Sequence, residues 1–151
     1  GFPVTGMPGH ELTRDWRAGA EAYYGISVTG YPNLHQLVGP NTALGHNSII
    51  FMIEAQVRYV LDCIRRLRAS GTDYLDVQPA AQMQFNERIQ GALKNTVWSS
   101  GCRSWYQQAD GRNFTIWPYS TWRYWLETRK VDAAQYRFGR AQESAAASHV
   151  D

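Results

Sequence analysis

An α/β fold is what this sequence predicts, and three observations predict it. Short β-prone runs, Ile26-Ser27-Val28 and residues 34–38, are closed by Gly30, Pro32 and the cluster Gly39-Pro40-Asn41-Thr42. A long segment follows directly, with apolar residues at three- and four-residue steps. The alternation then repeats, with Tyr74-Leu75-Asp76-Val77 leading into a second helical pattern that opens at Pro79.

Taken in order, residues 1–20 are rich in Gly, Pro and polar groups and read as loop. Residues 21–24 read as a helical turn or a short extended piece. The two strand candidates come next. Asn47 and Ser48 are good N-cap types for the helix that follows. Ile49, Ile53, Val57, Val60, Ile64 and Leu67 mark its expected core face. Arg65, Arg66 and Arg68 suit the negative end of its dipole, and Ser70-Gly71 ends it. The second helix should bury Phe85, Ile89 and Leu93 and fade near Asn95. Residues 97–106 and 114–117 read as extended, joined through the turn signal Asp110-Gly111. Residues 121–129 read as a last helix or an aromatic loop. Residues 141–151, Ala/Ser-rich, read as a disordered tail. No internal repeat is visible.

Composition narrows the function. Hydrophobic residues make up 44% and charged residues 19% of the 151, as in an ordinary globular domain. The formal net charge of +2 gives no field that would favour nucleic acid or acidic membranes. The longest apolar run, Ile49-Ile50-Phe51-Met52-Ile53, is far too short to span a bilayer. Cys63 and Cys102 read as free thiols of a reducing compartment, and no leader-like segment opens the sequence, so the expected location is cytoplasmic. The sequon Asn113-Phe114-Thr115 then reads as chance.

His10, His35, His46 and His149 lack metal-ligand spacing, and no metal is expected. Ser48 lies near His46 but without a nucleophile-elbow motif, so it reads as a cap. The aromatic second half interleaves Arg103, Trp105, Tyr106, Arg112, Phe114, Trp117, Trp122, Arg123, Tyr124 and Trp125. That mixture suits a flat ligand or single-stranded nucleic acid as well as a core. The stretch from Gly39 to Ser48 joins a strand candidate to a helix start through a glycine-bearing loop. Backbone N–H groups at such a place suit an anion or an electron-rich ring. An ordinary strand-to-helix connection has the same pattern.

The residues Gly30-Tyr31-Pro32-Asn33-Leu34, Gly39-Pro40-Asn41-Thr42 and Glu54-Ala55-Gln56 resemble, in that order, the last part of the FAD domain in flavin-containing and Baeyer–Villiger monooxygenases. That family carries a G-F/Y-P-N-L-F strand, a G-P-N loop and a helix with an E-x-Q step. Trp16 and Tyr23-Tyr24-Gly25-Ile26 fit as well, and Gly1-Phe2 would match the end of an A-T-G-F motif, with the chain starting inside it. Here Tyr31 replaces the commoner Phe, and His35 stands where Phe is usual. Ser104-Trp105-Tyr106 resembles the S-W-Y element of the family's mobile loop, and Trp117-Pro118-Tyr119 the segment after it. Asp110-Gly111-Arg112 departs from the family's Pro-Gly-Lys-like turn.

The resemblance implies the terminal portion of a doubly wound, Rossmann-like flavoprotein that binds FAD and NADP. Residues 1–70 would complete the FAD-binding domain, and residues 71–140 would form a family-specific region with the mobile loop. Gly39, Pro40, Asn41, Thr42, Asn47 and Ser48 would lie against FAD, and Trp105 and Tyr106 would close over the nicotinamide and substrate. The implied activity is NADPH- and O2-dependent oxygenation of a small organic ketone or soft heteroatom through a peroxyflavin. The cofactor would carry the chemistry, and no residue here is a catalyst in its own right. G-x-G-x-x-G and F-x-G-x-x-x-H do not occur in the sequence. Alone, these residues are therefore expected to be inactive. A stand-alone Trp-rich binding module and a nonfunctional gene remnant are the competing expectations.

Overall fold

The computed structural model describes residues 3–44, 48–94 and 113–141. Its helices and strands are α1 (Leu12–Asp15), α2 (Ile49–Ser70), β1 (Tyr74–Val77), α3 (Pro79–Lys94), α4 (Thr121–Thr128) and β2 (Tyr136–Gly139). The extended and hairpin expectations at 97–106 and 110–111, and the tail at 142–151, lie outside the described residues.

α2 is a 22-residue helix that begins and ends where its sequence directs. Ser48 is the N-cap residue, in extended backbone, and Gly71 closes the helix at φ 65°, a left-handed conformation that glycine enters without strain. Its buried face corrects the sequence reading. Met52, Ala55, Gln56, Tyr59 and Cys63 enter the core. Ile49, Val57 and Ile64, expected inside, are exposed, as are Ile50 and Leu61. At roughly 100° per residue, the stripe through Ile50, Val57, Leu61 and Ile64 stands opposite the buried one. The helix therefore has two apolar faces, and periodicity alone does not say which one this chain covers.

α3 behaves as expected: Phe85, Ile89 and Leu93 are buried, with Ala81 and Asn86 beside them. Full burial of each large apolar side chain contributes about 1.5–3 kcal/mol. Residues 121–129 resolve into α4, which packs on α2 and buries Tyr124 and Thr128. Ser120 caps it by accepting the Arg123 backbone N–H at 3.2 Å. α1 is an addition within a segment expected to be all loop. Glu11 caps that single turn by accepting the backbone N–H groups of Thr13 and Arg14.

β1 pairs antiparallel with β2, in the register Tyr74 opposite Gly139 through Val77 opposite Tyr136. The strand candidates at 26–28 and 34–38 form isolated bridges instead, Tyr23 to Ser27 and Ser27 to His35. Positive φ at Tyr24, Gly25, Gly30, Asn33 and Val38 breaks the extended backbone on each side of them. The architecture is thus mixed helix and strand.

Three apolar clusters hold these elements together. One joins Ile26, Tyr59 and Cys63 to Leu75, Val77, Val131 and Tyr136. A second joins Met52 and Ala55 to Phe85, Ile89, Ile116, Trp117 and Tyr124. A third, of Ala22, Val28 and Tyr31, seats α1 through Leu12 and Trp16. Two of the three draw on residues from both sides of position 70.

Candidate cofactor-facing loop

Residues 38–44 are held by Gln56 of α2, by Gly25 and by residues 113–117. Val38 and Asn41 both have φ 57°, which turns the chain twice within four residues. From α2, the carboxamide oxygen of Gln56 accepts the Val38 N–H at 2.9 Å. From below, Gly39 and Gly25 meet so closely that a Cβ on Gly39 would strike the Gly25 carbonyl. From the far side, Asn41 N–H donates to Phe114 O at 2.8 Å, and Ala43 N–H to Thr115 O at 2.9 Å. Trp117 N–H returns a bond to Ala43 O at 2.9 Å, completing a parallel bridge between Ala43 and Ile116.

Side chains brace the loop internally. Asn41 Nδ2 donates to Asn113 O at 2.8 Å and to Ile116 O at 3.1 Å. Thr42 Oγ1 donates to Gly39 O at 2.6 Å. Pro40, Asn41 and Thr42 are buried, while Gly39, Ala43 and Leu44 keep partial exposure. The Asn41 and Thr42 side chains therefore shape the loop from within. Ser48 holds the N-cap position but, contrary to the capping role read from the sequence, its side chain makes no capping bond; its carbonyl accepts the Phe51 N–H at 3.2 Å. Asn47, Trp105 and Tyr106 lie outside the described residues.

Sequence reading missed the support behind this loop. Asn113 anchors it: its side-chain oxygen accepts the backbone N–H groups of Thr115 and Ile116, each at 3.0 Å. Gln90 Nε2 donates to Asn113 O at 2.8 Å. An Asn two residues before a Thr is a turn signal legible in the sequence. Tyr124, one of many rings in the second half, is tied to both α2 and residue 24. Its hydroxyl accepts from Gln56 Nε2 at 3.0 Å and donates to Tyr24 O at 2.7 Å.

Of the cations interleaved with rings, Arg103 and Arg112 lie outside the described residues, and Arg123 is used within the fold together with Arg88 and Arg58. Arg88 grips Glu127 through two bonds, at 2.9 and 2.7 Å, and Arg123 reaches the same carboxylate at 2.8 Å. Burial alone would raise the Glu127 carboxyl; hydrogen bonds from Arg88 and Arg123 hold it below its ordinary range. Arg123 and Arg88 also lie over the Tyr119 ring, at 3.9 and 5.8 Å from its centre. Arg58 lies over Trp125 at 5.9 Å, and Trp125 stacks on Trp122 at 4.8 Å. Among the described residues, Arg58, Arg88 and Arg123 are thus engaged within the fold. Among the described residues, no group of His, Cys, Asp and Glu could hold a metal ion, and no helix is long and apolar enough to cross a membrane.

No family profile matches the chain. Individual proteins do. A Baeyer–Villiger monooxygenase of Streptomyces coelicolor is 43% identical over all of this chain and 32% of its own length. A Baeyer–Villiger monooxygenase of Pseudomonas aeruginosa is 45% identical over 88% of this chain and 26% of its own length. Among solved structures, cyclohexanone monooxygenase from Rhodococcus sp. Phi1 bound to NADP+ matches 93% of the chain with a TM-score of 0.79 at 17% identity. OTEMO in complex with FAD and NADP matches 91% with a TM-score of 0.73 at 18% identity. The chain spans 27% and 26% of those two structures. In sequence and in fold, the chain is related to the Baeyer–Villiger monooxygenases, over a segment that spans about a third or less of their length.

Proposed function

We propose that this chain is part of an FAD- and NADPH-dependent monooxygenase that uses O2 to oxygenate a small ketone or a soft heteroatom. The observation that carries the proposal is the 43% identity, over the whole chain, to a protein named for that chemistry. The doubly wound nucleotide-binding sheet would belong to the complete polypeptide, with residues 1–70 closing its FAD domain and residues 71–140 adding the family-specific region. FAD, reduced by NADPH, would supply the oxygen-activating chemistry.

Several of the described residues would suit that cofactor. Gly39, Pro40, Asn41 and Thr42 form a turned loop braced by its own side chains, whose backbone would meet the flavin ring. The first-turn N–H groups of α2, with Ser48 beside them, offer a positive dipole end to a ring that gains electron density. Asn47 would join them, and Trp105 and Tyr106 would exclude water from the closed site. Ile50, Val57, Leu61 and Ile64 form an outer apolar stripe suited to the rest of the same flavoprotein. The comparisons weigh against a stand-alone binding module, because they follow the whole chain rather than its Trp-rich part.

The test is to purify the complete polypeptide, measure its bound flavin, and supply NADPH, O2 and either a cyclic ketone or a thioether. Ester or sulfoxide carrying one atom of labelled O2 supports the reading. Stoichiometric flavin without oxygen transfer to either substrate class would overturn it.

A further inference from the structure

A line of buried hydroxyl groups runs through the core. Tyr59 and Tyr136 share a hydrogen bond of 3.0 Å, Tyr136 and Ser27 one of 3.1 Å, and Ser27 and His35 Nδ1 one of 3.2 Å. Tyr59, Tyr136 and Ser27 are buried and His35 is half-buried, so the line leads outward. Three hydroxyls in an apolar core cost desolvation that their mutual bonds only offset.

A second line, made of rings, meets the first at Tyr136. Trp117, bonded through its backbone to Ala43 of the loop, has its ring centre 5.0 Å from Tyr124. Tyr124 is 6.3 Å from Tyr24, Tyr24 is 4.6 Å from Tyr23, and Tyr23 is 6.2 Å from Tyr136. These are contact geometries for aromatic pairs. Every ring on the path is Tyr or Trp, the aromatic side chains that give up an electron most readily. Tyr119, half-buried and 5.2 Å from Trp117, opens the path to the outside.

A tyrosine retains an electron vacancy when its phenolic proton leaves with the electron, so the vacancy settles where a base is in reach. Tyr124 donates to the Tyr24 carbonyl, which takes no proton, and Tyr24 meets the Glu127 carboxylate, which Arg88 and Arg123 hold below its ordinary range and so make a weak base. Tyr136 reaches His35 through Ser27. Burial holds His35 below its ordinary pKa, which leaves it neutral before the transfer although it weakens it as a base, and raises the Tyr136 phenol, which keeps it protonated.

We propose that Trp117, Tyr124, Tyr24, Tyr23 and Tyr136 form a one-electron relay that carries oxidising equivalents from the loop at 38–44 and stores them at Tyr136 as a neutral tyrosyl radical. A one-electron oxidant, such as hydroxyl radical or a ruthenium(III) polypyridyl, removes one electron from Trp117 and is reduced by one. One electron passes from Tyr136 along the rings to refill Trp117. The Tyr136 proton moves to Ser27 Oγ as the Ser27 hydroxyl proton moves to His35 Nδ1, leaving a histidinium. The benefit of such a relay beside an oxygen-activating site rests on the function proposed above; the relay itself does not.

The experiment uses the complete polypeptide with ruthenium(III) tris-bipyridine generated by a laser flash in solution. Bound flavin, read from the absorption spectrum before each flash, reports the flavoprotein reading separately. The expected result is a tyrosyl absorption band that loses most of its amplitude in Tyr136→Phe, with a longer-lived tryptophan radical in its place. His35→Gln, which leaves every ring intact, should slow the appearance of the band. An unchanged tyrosyl band in Tyr136→Phe, or an unchanged rise in His35→Gln, would overturn the relay.

Discussion

Gln56 and Tyr124, 68 positions apart, are joined in the core by a 3.0 Å bond from the carboxamide nitrogen to the phenol oxygen. The other end of the carboxamide holds Val38 N–H, so one fully buried side chain ties the loop to α4. Gln56→Leu keeps the bulk and removes both bonds. We expect a loss of about 1–3 kcal/mol and weaker flavin retention by the complete polypeptide, read by thermal unfolding and by flavin absorbance after dialysis. Tyr124→Phe, which spares the Val38 bond, should retain more flavin.

Asn41 combines a left-handed backbone with two donations to buried carbonyls. Asn41→Ala loses both bonds and strains the turn, and should cost about 2–4 kcal/mol. Asn41→Gly loses the same bonds but relaxes the backbone. The glycine variant should therefore unfold at the higher temperature of the two.

The outer face of α2 gives a prediction that its exposure here would not suggest. Ile50 is 63% exposed, so a charge there should be harmless if water is its true surroundings. If the remainder of a flavoprotein covers the stripe, Ile50→Glu in the complete polypeptide should cost about 1–3 kcal/mol. A thermal unfolding curve unchanged from the parent would show the face to be solvated.

Glu127 makes acid stability measurable. Its carboxyl is held below its ordinary value of 4.5 in the folded state by Arg88 and Arg123. A lowered folded value means stability that is present above the unfolded pKa and lost as pH falls through the folded one. Glu127→Gln should lower the unfolding temperature at neutral pH. Its further drop on acidification below the ordinary carboxylate value should be smaller than the parent's. Parallel curves for the two proteins would remove Glu127 from the acid response.

Much of this was legible in the sequence because it is local. The start of α2 after Ser48, its end at Gly71, Pro79 opening α3 and the turn at 39–42 are all written in capping and turn residues. The orientation of α2 was not. Both of its stripes are apolar, and choosing between them requires knowing that Tyr59 meets Tyr136 and Gln56 meets Val38. β2 was missed because Tyr136-Arg137-Phe138-Gly139 is short and becomes a strand only by pairing with β1. The strand expectation at 34–38 failed at Val38, a β-branched residue held at positive φ by its bond to Gln56. That strain lies next to Gly39, where the candidate site begins.

The most direct measurement is hydrogen–deuterium exchange on the complete polypeptide with FAD bound and with FAD removed. Slower exchange with FAD across residues 38–44 and the first turn of α2 is the predicted result. A flavin-loaded protein whose exchange there matches the flavin-free form would place the cofactor elsewhere and remove this loop from the site.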